Sequence, residues 1–139
     1  MTTPHLVRDF YEQIWNAGSH SAVGEILSEN FVFRGSLGAE MRGRDRFWTY
    51  VCEVRSALDH YRCDILECIC EGPLAFAKMR FAGVHVADFR GYRPSGLPVY
   101  WQGAALFRLE DGRIAELWVL GDLAGLDAML SSNAKESKL

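Results

Sequence analysis

The stretch that most limits what this chain can fold into is Val99 to Asp122, VYWQGAALFRLEDGRIAELWVLGD. Two runs of strand formers flank Glu110-Asp111-Gly112-Arg113. Asp-Gly between apolar runs is a strong hairpin signal, because the tightest turns need positive φ at both central residues. The pattern predicts two long antiparallel strands, which need a sheet to join and a core to face. Along the second run, period-two alternation puts Ile114, Glu116, Trp118, Leu120 and Asp122 on one face, with Ala115, Leu117, Val119 and Gly121 on the other. A carboxylate one pleat beyond Leu120 is partly desolvated on this reading, which raises its pKa toward the range of a general base. The plainer reading of Asp122 is the N-cap of a short helix over Leu123–Leu130, and the two roles are compatible.

Upstream, Thr3-Pro4 reads as a capping hydroxyl followed by proline at the first helical position. Leu6, Val7, Phe10, Tyr11, Ile14 and Trp15 then form one helical face, stopped by Gly18. A shorter helix over residues 21–27 turns Val23, Ile26 and Leu27 inward and ends at Asn30. Phe31–Arg34 is a short strand before the glycine-rich turn Gly35–Gly38, and Arg34 can point into a cavity or out to solvent. A third helix covers residues 45–58, with Phe47, Trp48, Val51, Cys52, Val54 and Leu58 at helical spacing and the stem of Arg55 along the surface.

After Asp59-His60 the period changes to two. Arg62–Glu71 is one strand and Gly72-Pro73 a turn. Leu74–Phe89 is a long strand that bends at Gly83, with Ala75, Ala77, Met79, Phe81, His85, Ala87 and Phe89 on one face. His85 lies there as either a hydrogen-bonded core residue or a second catalytic group. Gly91–Pro98 is an irregular loop suited to a pocket rim.

One domain over residues 1–131 is expected from a chain of 139 residues, 49% of them hydrophobic, with 132–139 a frayed polar tail. A net charge of −3 argues against nucleic acid, and Arg42, Arg44 and Arg46 read as a solvated helix start. No run approaches the roughly 18 apolar residues of a membrane span and no leader pattern is evident, so a cytoplasmic protein without membrane contact is expected. Cys52, Cys63, Cys68 and Cys70 have the spacing of neither a zinc site nor a redox pair, so reduced thiols and no metal are expected. Four Trp, eight Phe and five Tyr fill a core or line a pocket for a flat apolar ligand. Helices first and long antiparallel strands after them imply an α+β fold, in which a curved sheet wraps three N-terminal helices into a cone.

Three stretches resemble a known family. Phe10-Tyr11-Glu12 with Trp15-Asn16-Ala17-Gly18 looks like the first helix of the SnoaL-like polyketide and ester cyclases, within the NTF2-like cone fold. Gly83-Val84-His85-Val86-Ala87-Asp88-Phe89 followed by Gly91-Tyr92-Arg93-Pro94-Ser95-Gly96 is similar to that family's G-x-H-x-G-x-F and G-x-x-P-[TS]-G. Phe107 to Trp118 with Asp122 is similar to F-R-x-x-D-G-[KR]-I-x-E-x-W-x-x-x-D. Leu117 stands where the family usually has His, Phe33-Arg34 where it often has Asp-His, and Ala87 where it has a second Gly.

The resemblance implies a cofactor-independent cyclase or isomerase. Asp122 would be its general acid/base on a carbonyl-rich, polyketide-like substrate, and His85 would hydrogen-bond the enolate oxygen or steer the proton. The substrate would lie among Tyr11, Trp15, Phe33, Arg34, Trp48, Met79, Trp101, Phe107 and Trp118. A homodimer is also implied, with Leu106, Leu117 and Val119 on the outer sheet face. The alternative is a cone that binds an apolar small molecule, or serves as a dimerising accessory protein, without catalysis.

Overall fold

The structure is a computed structural model and describes residues 3–36 and 40–137. Pro4 stands just outside the first helix rather than at its first position: its carbonyl accepts from the N–H groups of Val7 and Arg8, and no side chain caps the end. The helix α1 spans His5–Asp9 and continues in a wider π winding over Phe10–Asn16. Val7, Phe10, Tyr11, Ile14 and Trp15 form its buried face, in agreement with their spacing. Gly18 ends it at φ +67, and a Cβ there would fall 2.7 Å from the Arg55 guanidinium. Arg55 donates to the carbonyls of Trp15 and Asn16, so a cation closes the negative end of the helix.

The remaining elements are α2 (His20–Ile26), β1 (Leu27–Arg34), β2 (Glu40–Arg42), α3 (Arg44–Ala57), β3 (Leu58–Glu71), β4 (Leu74–His85), β5 (Pro98–Glu110), β6 (Arg113–Gly121) and α4 (Leu123–Lys135). They make an α+β fold in which one curved sheet, in the order β2-β1-β6-β5-β4-β3, wraps the helices. Neighbours are antiparallel except β1 and β6, which run parallel. Phe10, Phe31, Phe47 and Phe107 are fully buried where the N-terminal helix and α3 meet the sheet. Phe10 packs edge-on to Phe107 at 5.5 Å and stacks with Phe47 at 5.8 Å.

Several expectations are corrected. The second helix stops at Ile26 and does not reach Asn30, because the chain enters β1 at Leu27 to pair with Ile114 of β6. Part of the turn placed at Gly35–Gly38 lies outside the described residues. On α3, Cys52 is exposed and Trp48 only half-buried, while Tyr50 takes the inward place three residues after Phe47. The long strand ends at His85, four residues before Phe89, because Val86 and Ala87 both turn their N–H groups to the carbonyl of Ala57. Phe89 and Tyr92 then pair across Arg90-Gly91, both at positive φ.

In the stretch expected to fray, α4 instead continues to Lys135, and the Asn133 amide donates to the carbonyl of Pro98 at 3.0 Å. The hairpin that dominates the sequence forms as predicted, with Asp111 at φ 51 and Gly112 at φ 74. No described helix is long and apolar enough to cross a membrane.

The phase of β6 differs from a simple alternation. Leu109 pairs with Ile114 but Arg108 pairs with Glu116, so Ala115 is an extra residue in a bulge. Ile114 before it and Leu117 after it are therefore both buried, while Glu116, Trp118 and Leu120 face outward. Leu117 and Val119 therefore belong to the inner face, not to the outer face assigned to them from the sequence.

Candidate functional site

The cone encloses a cavity in two parts. The inner chamber holds about 60 Å³. Its walls come from the N-terminal helix (Phe10, Tyr11, Trp15), from β1 and the turn after it (Phe33, Gly35, Ser36), and from the sheet (Tyr61, Phe81, Trp101, Leu117, Val119). The outer vestibule holds about 490 Å³, and Val54, Ala57, Phe89, Leu123 and Leu126 supply its apolar wall. Ser36, Tyr50, Tyr61 and Trp101 line both parts and form the neck between them.

Local sequence explains these positions. Gly83 lets β3 lie close across β4, since a Cβ there would come within 2.9 Å of Leu58 Cβ. Opposite it His60 takes φ 54, a bulge that turns Tyr61 inward. At the neck, Gly121 leaves room for Trp101 and Ser36: a Cβ would stand 3.0 Å from Ser36 Oγ and 3.3 Å from the indole.

No charged side chain lines the chamber; the residues with polar side-chain atoms on its wall are Tyr11, Tyr50, Tyr61, Ser36 and Trp101. Burial pushes all three phenols above their ordinary range, those of Tyr11 and Tyr61 strongly. They are therefore neutral hydrogen-bonding groups at physiological pH. Tyr11 Oη is buried without a hydrogen-bond partner among the described residues. Charge is confined to the vestibule, in Glu53, Asp88 and Arg90. Arg90 forms a two-pronged pair with Asp127 of α4, at 2.8 and 2.9 Å, which holds the Asp127 carboxyl below its usual range.

Asp122 lies at the rim. Its backbone N–H donates to the Gln102 carbonyl at 2.8 Å, and its neighbours Gly121 and Leu123 touch the neck and the vestibule wall. Its side chain is exposed, not desolvated, and Oδ1 accepts from Gly125 N–H at 2.9 Å as the N-cap of α4. The capping role read from the sequence is thus formed.

Of the other expected site residues, Tyr11, Trp15, Phe33 and Trp101 line the chamber. Met79 and Phe107 are buried in the core outside it. Trp48 stacks on His20 at 4.7 Å. Trp118 is 39% exposed on the outer face, carried there by the bulge at Ala115, and Arg34 lies 5.8 Å over its ring. His85 is buried behind Phe89, 6.3 Å between rings, with neither nitrogen partnered among the described residues, and it lines neither part of the cavity.

Sequence reasoning missed Tyr50, Tyr61 and the Phe89-Arg90 turn. Phe47, Tyr50, Val51 and Val54 repeat at i, i+3, i+4 and i+7, the spacing that would have found Tyr50. A second cavity of about 510 Å³, lined largely by polar side chains, lies between the N-terminal helix and β3, and Tyr11 is the residue it shares with the chamber. Among the described residues, no three His, Cys, Asp or Glu side chains converge on a metal position.

Known structures share this cone. The candidate SnoaL-like polyketide cyclase from Jannaschia sp. CCS1 superposes with a TM-score of 0.84 at 19% identity, over 95% of this chain and 97% of that one. IdmH, a candidate polyketide cyclase from Streptomyces antibioticus, gives 0.81 at 20% identity over 91% and 96%. TsrD from Streptomyces laurentii gives 0.80 at 25% identity over 92% and 93%. No curated protein matches the sequence. The sequence model described as SnoaL-like polyketide cyclase matches residues 5–130, nearly the whole of the cone just described. By that match the chain belongs to the SnoaL-like polyketide cyclase family.

Proposed function

We propose that the cone binds a flat, apolar, carbonyl-rich molecule of polyketide type and carries out a cyclase- or isomerase-type proton transfer on it, with Asp122 as the acid/base. The observation that supports this most is the aromatic cavity itself. Rings on several sides of a narrow neck suit a planar ligand, and a chamber without charge favours burial of an apolar one. Holding such a substrate folded supplies orientation, and proton removal from carbon flanked by carbonyls asks only for a carboxylate within reach. Asp122 stands where Gly121 meets the neck, and a carboxylate that accepts one backbone N–H keeps further lone pairs for a substrate proton. His85 has no place in this scheme as a group that touches substrate.

The test is Asp122→Asn. Asparagine caps a helix about as well as aspartate, so the fold is kept while the base is removed. Turnover of a polycarbonyl substrate is expected to fall roughly 10²–10⁴-fold with affinity unchanged. The cap itself favours a second reading, a binder without chemistry: on that reading the variant changes neither binding nor any reaction.

A second copy of the chain is the proposed partner. Phe76, Leu106 and Trp118 are direct cross-strand neighbours on β4, β5 and β6 and are 43%, 40% and 39% exposed. Sedimentation is expected to find twice the 15.7 kDa chain mass, and Trp118→Asp to halve it; a monomer in the wild type refutes the pairing.

A further inference from the structure

We propose that Ser36 Oγ and Trp101 Nε1 act as a two-donor clamp at the neck, over Gly121, which holds one carbonyl oxygen of the ligand beside Asp122. This rests on the proposed function and adds the groups that receive the charge Asp122 creates. His85, expected in that role from the sequence, lines neither part of the cavity.

Gly121 marks the spot. Its φ is not positive, so the backbone does not require glycine there. The space does: a Cβ would stand 3.0 Å from Ser36 Oγ and 3.3 Å from Trp101 Nε1. An interior strand glycine of this kind marks a close approach, and what approaches here is two polar atoms from separate parts of the chain, the turn after β1 and the strand β5. Gly121 directly precedes Asp122, so both donors stand at the residue next to the carboxylate's.

Both donors are free and open. Neither has a hydrogen-bond partner among the described residues, and neither belongs to the side-chain atoms that are sealed without one, which are Tyr11 Oη and the two His85 nitrogens. Both are therefore reached from the cavity whose neck they line. The phenols of the neck differ: Tyr61 has the Cys63 thiol as a partner, and Tyr50 Oη faces Gly35, 3.7 Å from where a Cβ would stand. The donor chemistry names the group that is held. An indole N–H donates and cannot accept, and a serine hydroxyl can turn its proton to the same side. One oxygen acceptor satisfies both, whereas an amine or alcohol hydrogen finds nothing to bond at the indole. When Asp122 takes the proton from the adjoining carbon, the C–H electron pair forms the new C=C bond and the carbonyl π pair moves onto oxygen. That oxygen then carries its charge between two positioned donors, in a chamber whose wall has no cation to offer.

The experiment reads the carbonyl itself, through the isotope-edited infrared spectrum of 2-acetylnaphthalene bound to the full chain, with affinity from equilibrium dialysis. The wild type is expected to hold the C=O band at lower wavenumber than hexane does. Ser36→Ala and Trp101→Phe should each move the band up and weaken binding roughly threefold to tenfold, while Tyr50→Phe leaves the band in place. A bound carbonyl at its hexane position, or a band that moves with Tyr50→Phe and with neither clamp variant, overturns the clamp while the ligand site stands. Failure to bind overturns the ligand site and the clamp together. A lowered band that answers to both clamp variants, in a protein that exchanges no proton on a diketone, upholds the clamp and overturns the chemistry assigned to Asp122. Ser36→Ala changes only a turn residue and the wild-type band needs no variant, so poor folding of Trp101→Phe does not shield the idea.

Discussion

The chamber and the rim of the same cavity are built on opposite terms. The chamber is closed by rings held at most a few per cent exposed, such as Phe10, Tyr11, Trp15 and Phe33, and contains no charge. The rim carries Glu53, Asp88, the Arg90–Asp127 pair and Asp122, nearly all in solvent contact. The inner part can select shape and hold an apolar body, because its cost of desolvation is small. On the proposed function the proton is moved by Asp122, a carboxylate that the rim leaves exposed. On that proposed function, binding and chemistry are therefore separable by substitution, one residue set at a time.

The largest effect comes from breaking the chamber, because its wall is also the core. Phe10→Ala removes a fully buried ring that touches Phe47, Tyr11 and Phe107. It is expected to cost about 3–5 kcal/mol in urea unfolding, in the range for buried aromatic truncation. A loss under about 1 kcal/mol would mean that the wall is not the core.

His85, buried behind Phe89 and outside both parts of the cavity, sharpens the comparison. Its imidazole is buried with both nitrogens unpartnered among the described residues, and the desolvation of such groups is a net cost. His85→Leu is expected to raise stability by about 1–3 kcal/mol and leave turnover intact. A fall in turnover with binding preserved would extend the chemistry behind Phe89.

Much of this layout was legible in the sequence, for physical reasons that also explain the rest. Asp111-Gly112 fixed the β5–β6 hairpin because only positive φ closes so short a turn, and the wide apolar face of the N-terminal helix announced its packing. β2 carries only Glu40, Met41 and Arg42, too short and polar for a period, and the parallel pairing of β1 with β6 is a long-range event without local signal. β6 has large apolar residues on both faces, Leu117 inward and Trp118 outward, so its phase rests on a bulge at Ala115 that composition does not announce. That is why Trp118, read from the sequence as a substrate contact with Tyr11, Trp15, Phe33 and Trp101, faces outward while those four line the chamber. It is also why Asp122 was expected to be desolvated and instead stands at the rim.

The smallest effect comes from the rim's ion pair. Arg90 depresses the Asp127 pKa below its ordinary 3.8, so the pair's stabilisation is present above that pH and is lost only as pH falls through the lower folded value. Asp127→Asn should therefore shift the melting temperature less than either substitution above, and should flatten the stability profile only below about pH 3.8. A change confined to pH 5–8 would contradict this assignment of charge.

The central claim, that the chamber binds while Asp122 at the rim moves the proton, is tested most directly by deuterium exchange at the activated carbon of 2-acetyl-1-tetralone in D₂O. Wild-type protein is expected to accelerate exchange well above the buffer rate, and Asp122→Asn to bind the diketone equally and lose the acceleration. Equal acceleration by both proteins, or none by either despite binding, would contradict it.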